Sequence, residues 1–169
     1  MHAAPDALPF VDRHEVLVAA PPRVVWDALP SALPGPGSTA AGLYARAVGA
    51  DPARDSGALP GVGATVPGFR VAEATPERHL LLTGRHLFSR YALGFTLEPA
   101  VGGTLLGATT HAEFPGALSL LYRVAVIGSG AHGLLVPRML RAVRTRAERR
   151  AASHSPRRLR SGERGSAGA

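Results

Sequence analysis

Residues 87–114 read LFSRYALGFTLEPAVGGTLLGATTHAEF, and their alternation decides the fold. Between Leu87 and Leu97, one face carries Leu87, Ser89, Tyr91, Leu93, Phe95 and Leu97. The other carries Phe88, Arg90, Ala92, Gly94, Thr96 and Glu98. Side chains alternate across a strand, so the first set is expected to point inward. Between Thr104 and Phe114, Leu106, Ala108, Thr110, Ala112 and Phe114 form the expected inner set, with Thr109, His111 and Glu113 outside. Pro99 to Gly103 joins the two runs. Upstream, Phe69–Ala74 and His79–Thr83 read as strands about a Thr75-Pro76-Glu77 turn. Short runs separated by Pro- and Gly-containing turns predict an antiparallel meander.

On either side of this meander the period changes. After Pro115-Gly116, Leu118–Ile127 reads as a short helix broken at Gly128-Ser129-Gly130, followed by a long helix over Ala131–Arg150. Val136, Met139 or Leu140, Val143 and Ala147 form its apolar stripe; Arg141, Arg144, Glu148 and Arg149 cover the other side. Arg144 and Glu148 are spaced for an i, i+4 ion pair. Pro137 predicts a kink or a start closer to that residue. Residues 151–169 are Ser-, Pro-, Gly-, Ala- and Arg-rich and are expected to be a disordered tail. At the other end, His14–Ala19 reads as a strand. A short helix after Pro21-Pro22 buries Val24, Val25, Trp26, Ala28 and Leu29, with Trp26 a core anchor. Thr39–Val48 reads as a second helix with Leu43, Tyr44 and Ala47 inward, and Asp51–Gly63 as a loop.

The 169 residues suit one domain, expected over residues 10–150. There is no cysteine, so disulfides, thiolate metal sites and cysteine nucleophiles are excluded. All 19 basic residues are arginine, which excludes lysine Schiff bases and the phosphate loop ending in Gly-Lys. The net charge of +7 is unevenly placed. From Arg138 onward there are ten arginines and two acids, whereas the preceding residues hold nine arginines and ten acids. A solvated helix face with a solubilising tail accounts for that asymmetry better than a nucleic-acid or membrane-surface adaptor does. The N-terminal residues lack the basic and apolar regions of a signal peptide, and no run approaches the ~20 apolar residues of a membrane span. A cytoplasmic location is the expectation.

Three stretches resemble the START-like superfamily, which includes polyketide cyclases and dehydrases and lipid-transfer domains. VLVAAPPRVVWDAL, residues 16–29, is similar to its opening strand, proline and Val-Trp helix. FTLEPAVGGTLL, residues 95–106, looks like its late hairpin, and RMLRAVRTRAE, residues 138–148, like its terminal helix. The resemblance implies an α+β helix-grip fold, a curved antiparallel sheet wrapped around a long C-terminal helix with an apolar cavity between them. Its members bind lipids, polyketides or other hydrophobic molecules, and some catalyse cyclisation or dehydration. The segment between the Trp26 helix and Phe69 departs from the family in its Pro, Gly and Ala content, so the ligand type does not carry over.

The expected ligand wall is Ser89, Tyr91, Leu93, Phe95 and Leu97, and the expected lid Val136, Leu140 and Val143; Tyr122 and His132 flank the glycine break at the entrance. His86 and Tyr91 are the candidate catalytic pair, a general acid–base and a carbonyl-polarising hydroxyl. Counting alternation back from Leu87, however, places His86 on the face opposite Ser89 and Tyr91. No His-x-x-x-His or His-Glu-x-x-His occurs, so no metal or other cofactor is implied. Gly128-Ser129-Gly130 is not a hydrolase elbow, and Gly61-Val62-Gly63 lacks the context of a dinucleotide fingerprint. The leading expectation is a binder of a hydrophobic small molecule. A cyclase or dehydratase using His86 and Tyr91 is the alternative, and an adaptor acting through the basic tail the second.

Overall fold

The computed structural model describes residues 8–33, 39–115 and 131–154. In chain order they form β1 (Phe10–Val18), α1 (Pro22–Trp26), a 3-10 turn (Leu29–Ala32), α2 (Thr39–Ala47), β2 (Thr65–Val66), β3 (Phe69–Thr75), β4 (His79–His86), β5 (Ser89–Ala100), β6 (Gly103–Glu113) and α3 (Ala131–His154). The six strands make one curved antiparallel sheet in the order β1-β6-β5-β4-β3-β2. β1 closes on β6 because the meander runs away from it, so the first strand lies beside the last.

One face of this sheet is concave and apolar. Val18 from β1, Val71 from β3, Leu80 and Leu82 from β4, Leu93, Phe95 and Leu97 from β5, and Leu106 and Ala108 from β6 share a core with Val25, Trp26 and Leu29. α3 lays Val136, Met139, Leu140, Val143 and Ala147 into the same core, which is the stripe its 3.6-residue period predicts. Each fully buried aliphatic or aromatic side chain contributes about 1.5–3 kcal/mol by leaving water. Two polar ties fix the direction of α3. The Ala19 amide donates to Glu148 Oε1 (3.1 Å), and Arg150 Nη1 donates to the Asp27 carbonyl (2.9 Å). The C-terminal half of α3 therefore packs at the end of the sheet where β1 stops, and the β4–β5 hairpin lies at the other end. The Arg144–Glu148 pair forms as expected, at 2.9 Å.

Several expectations change. Leu87 is 71% exposed, because it sits in the turn and not in a strand. The first helix is only five residues long; Leu29 is buried from the 3-10 turn that follows Asp27. In α2, Leu43 (66% exposed) and Ala47 face solvent and Ala45 is buried, and the Tyr44 side chain is not among those described. α3 begins at Ala131 with Pro137 inside it, and it continues to His154, beyond the expected end at Arg150. The predicted helix over 118–127 and the tail beyond His154 lie outside the described residues.

Glycine is required where β4 passes under Tyr91. A Cβ on Gly84 would run into the Gly68 carbonyl oxygen and the Tyr91 ring. Gly42, inside α2, meets nothing within 4 Å. Gly84→Ala is therefore expected to lower stability by about 1–3 kcal/mol, as overpacking does. Gly42→Ala is expected to raise it by about 0.5–1 kcal/mol through helix propensity. Urea denaturation of the two variants checks both signs.

Candidate functional site

Strand β4 ends at His86 and β5 begins at Ser89, so Leu87 and Phe88 form a two-residue hairpin turn. His86 and Ser89 are direct cross-strand partners. Cross-strand partners point to the same side of a sheet. The parity of Leu80, Leu82, Leu93 and Phe95, all in the main core, puts that side on the concave face. Alternation counted through Leu87 had placed His86 opposite Ser89 and Tyr91; the structure corrects this, because the turn resets the count.

The hydrogen bonds define the state of the imidazole. The Phe88 amide donates to His86 Nδ1 (3.1 Å), so that nitrogen carries the lone pair. In the neutral ring the proton is then on Nε2, which lies 2.9 Å from Ser89 Oγ and donates to it. Burial of the half-covered ring pushes its pKa below the ordinary value of 6.5, which favours this neutral form. Ser89 is itself buried, and with Oγ accepting from His86 its own hydroxyl hydrogen can turn toward a third group.

Tyr91 lies beside this pair, with its ring centroid 5.6 Å from that of His86 and 5.3 Å from that of Phe69. Its ring covers Gly84, and its hydroxyl donates to the Gly68 carbonyl at 2.7 Å. That bond commits the proton needed to polarise a carbonyl, so Tyr91 stands here as a fixed part of the wall. The remaining wall residues Leu93, Phe95 and Leu97 meet the lid residues Val136, Leu140 and Val143 in one buried cluster. Tyr122 lies outside the described residues; His132 belongs to α3, but its side chain is not among those described.

Further polar groups share the concave face, among them Thr110 and Asp12. Thr110 of β6 pairs with Leu93 on one side and Asp12 on the other, which makes it a diagonal neighbour of Tyr91. It is 5% exposed, and its hydroxyl oxygen has no hydrogen-bond partner among the described residues. The sequence signal was its place as the one polar residue among Leu106, Ala108 and Ala112 in the inner set. Asp12 follows Val18, Val16 and His14 along the inward face of β1, and its Oδ2 lies 3.3 Å from His14 Nε2. It escaped the sequence reading because β1 begins at Phe10, ahead of the expected start at His14. Among the described residues no cluster of three or more His, Asp or Glu side chains could hold a metal ion, and no helix is long and apolar enough to cross a membrane.

No family model matches the sequence, and no curated protein is similar to it. Solved structures are similar in fold. One from Mesorhizobium loti is 19% identical, with 82% of this chain and 96% of that chain covered at a TM-score of 0.52. An uncharacterized protein from Rhizobium leguminosarum is 16% identical, with 82% and 93% covered at 0.50. The di-domain ARO/CYC StfQ of the steffimycin biosynthetic pathway is 16% identical at 0.50, with 83% of this chain and 51% of that chain covered. At these identities the likeness is one of fold.

The imidazole makes the site's pH behaviour predictable. Between the folded pKa and 6.5, the unfolded chain binds a proton at His86 that the folded chain does not. Stability is therefore complete above pH 6.5 and declines as pH falls through that window. NMR titration is expected to give His86 an apparent pKa below 6.5 with the proton on Nε2. His86→Gln is expected to flatten the pH dependence of the urea midpoint across the same window.

Proposed function

We propose that this chain, whose fold is the helix grip of the START-like superfamily, binds a hydrophobic small molecule against the concave face of its sheet at the β4–β5 end. The observation that carries the proposal is the Thr110 hydroxyl, buried and without a hydrogen-bond partner among the described residues, beside Leu93 in the wall. Leaving a hydroxyl unsatisfied costs about 1–3 kcal/mol, a cost that a ligand oxygen or nitrogen reaching Thr110 offsets. Ser89 adds a second hydroxyl with a hydrogen to donate, while Leu93 and the Tyr91 ring supply apolar surface. A wall of apolar groups with a few placed polar ones selects an apolar molecule bearing one or two oxygens, such as a polyketide-like ketone or a fatty acid.

The closeness of His86 to Tyr91 keeps the cyclase or dehydratase as a second reading. Binding is favoured over it because the Nδ1 lone pair and the Tyr91 proton are both engaged by backbone groups. An acid–base step would have to break those bonds first.

Native mass spectrometry of the purified chain, alone and after incubation with aromatic ketones and fatty acids, tests the proposal. One apolar molecule per chain is expected, bound about twofold to tenfold more weakly by Ser89→Ala and by Thr110→Val, the loss of one hydrogen bond each. No uptake, or uptake untouched by both substitutions, contradicts it. Under the enzyme reading His86→Gln abolishes turnover of a poly-β-ketone while leaving its binding intact; under the binding reading there is no turnover to lose.

A further inference from the structure

The outer side of α3 carries a second feature, independent of the concave face. A groove of about 650 Å³ runs between α3 and the 3-10 turn, lined by Ser31, Arg138, Arg141, Ala142, Thr145, Arg146, Arg149 and Arg150. Five of these eight residues are arginines and none is acidic. From Arg138 to Arg149 the stripe rises about 16 Å along the helix.

This differs from an ordinary solvated helix face, which mixes signs. Arg138 and Arg141, Arg146 and Arg149, and Arg146 and Arg150 are i, i+3 or i, i+4 like-charge neighbours, a spacing that destabilises a helix. Among the described residues Arg138, Arg141, Arg146 and Arg149 form no ion pair; Arg141 Nε donates only to the Pro137 carbonyl. Among the described residues, the nearby acids are engaged elsewhere. Glu148 takes Arg144 and the Ala19 amide, and Asp27 meets Arg150 through its backbone carbonyl. Guanidinium forks match phosphate oxygens two at a time.

The lining also narrows the ligand. It contains no aromatic ring on which a base could stack, and no large apolar side chain to enter a membrane surface. We propose that the groove binds a chain of linked phosphate groups, either inorganic oligophosphate or the triphosphate of a nucleotide. Arg138, Arg141, Arg146 and Arg149 grip successive phosphates, and Thr145 lies within the groove as a hydroxyl donor, while the Ser31 hydroxyl donates to the Ala28 carbonyl (2.6 Å).

Isothermal titration of the full chain with inorganic triphosphate tests this, beside ATP, a single-stranded DNA oligonucleotide and phosphatidylserine vesicles. Saturable one-to-one binding of triphosphate is expected, weakening steeply with added salt. Arg141→Gln/Arg146→Gln is expected to weaken it at least tenfold. Arg54→Gln/Arg70→Gln, which removes the same charge from exposed positions elsewhere, is expected to change it less than twofold. ATP bound as tightly as triphosphate identifies the phosphate chain alone as the ligand; ATP bound tenfold more tightly identifies a nucleotide as its source. Binding only to the oligonucleotide or the vesicles overturns the proposal. So does triphosphate binding that survives the groove variant and disappears when Arg157, Arg158, Arg160 and Arg164 are changed to Gln.

Discussion

The burial of one side of α3 against a single concave sheet is the constraint from which the rest of the structure follows. Val136, Met139, Leu140, Val143 and Ala147 have no other apolar surface of comparable size to meet among the described residues. The sheet in turn has no other long element to cover Phe95, Leu93 and Leu106 among the described residues. The ties from Glu148 to Ala19 and from Arg150 to Asp27 decide which end of the helix is held tightly. They put the C-terminal half of α3 beside α1, while Ser89, His86 and Thr110 lie toward the hairpin end of the sheet. The position of the candidate site is thus a result of how the helix is anchored.

The fold was readable because its two periods are clean. The alternation of β5 and β6 marks their buried residues correctly from Leu93 through Leu97 and from Leu106 through Ala112. The α3 stripe is correct at every position. The reading failed where a local rule was carried across a break. Parity counted through Leu87 and Phe88 reversed the face of His86, since a two-residue turn returns the chain to the same side. Leu43 and Ala47 have helical spacing, but among the described residues no neighbouring element covers that side of α2.

The finer chemistry was not legible because it depends on residues distant in sequence. Nothing local tells that the Tyr91 hydroxyl is engaged by Gly68, or that Gly84 lacks a side chain so that the ring can lie over it. Thr110 was placed inward, yet its lack of a partner among the described residues is a property of the surrounding packing. The arginines were counted correctly and assigned to a solvated face. Only the approach of the 3-10 turn at Ser31 makes part of that face a groove. The two sides of α3 thus divide the labour: the apolar side builds the interior, and on the basic side Arg138, Arg141, Arg146 and Arg149 form no ion pair among the described residues.

The central claim is that the concave face near Ser89 and Thr110 receives an apolar ligand. It is tested most directly by NMR of the labelled chain titrated with an aromatic ketone or fatty acid that it takes up. The account predicts shift changes at Ser89, Tyr91 and Thr110, with intermolecular contacts to the Leu93 methyls. Changes confined to the α3 arginines or to the convex cluster of Leu81 and Ala92 would contradict it.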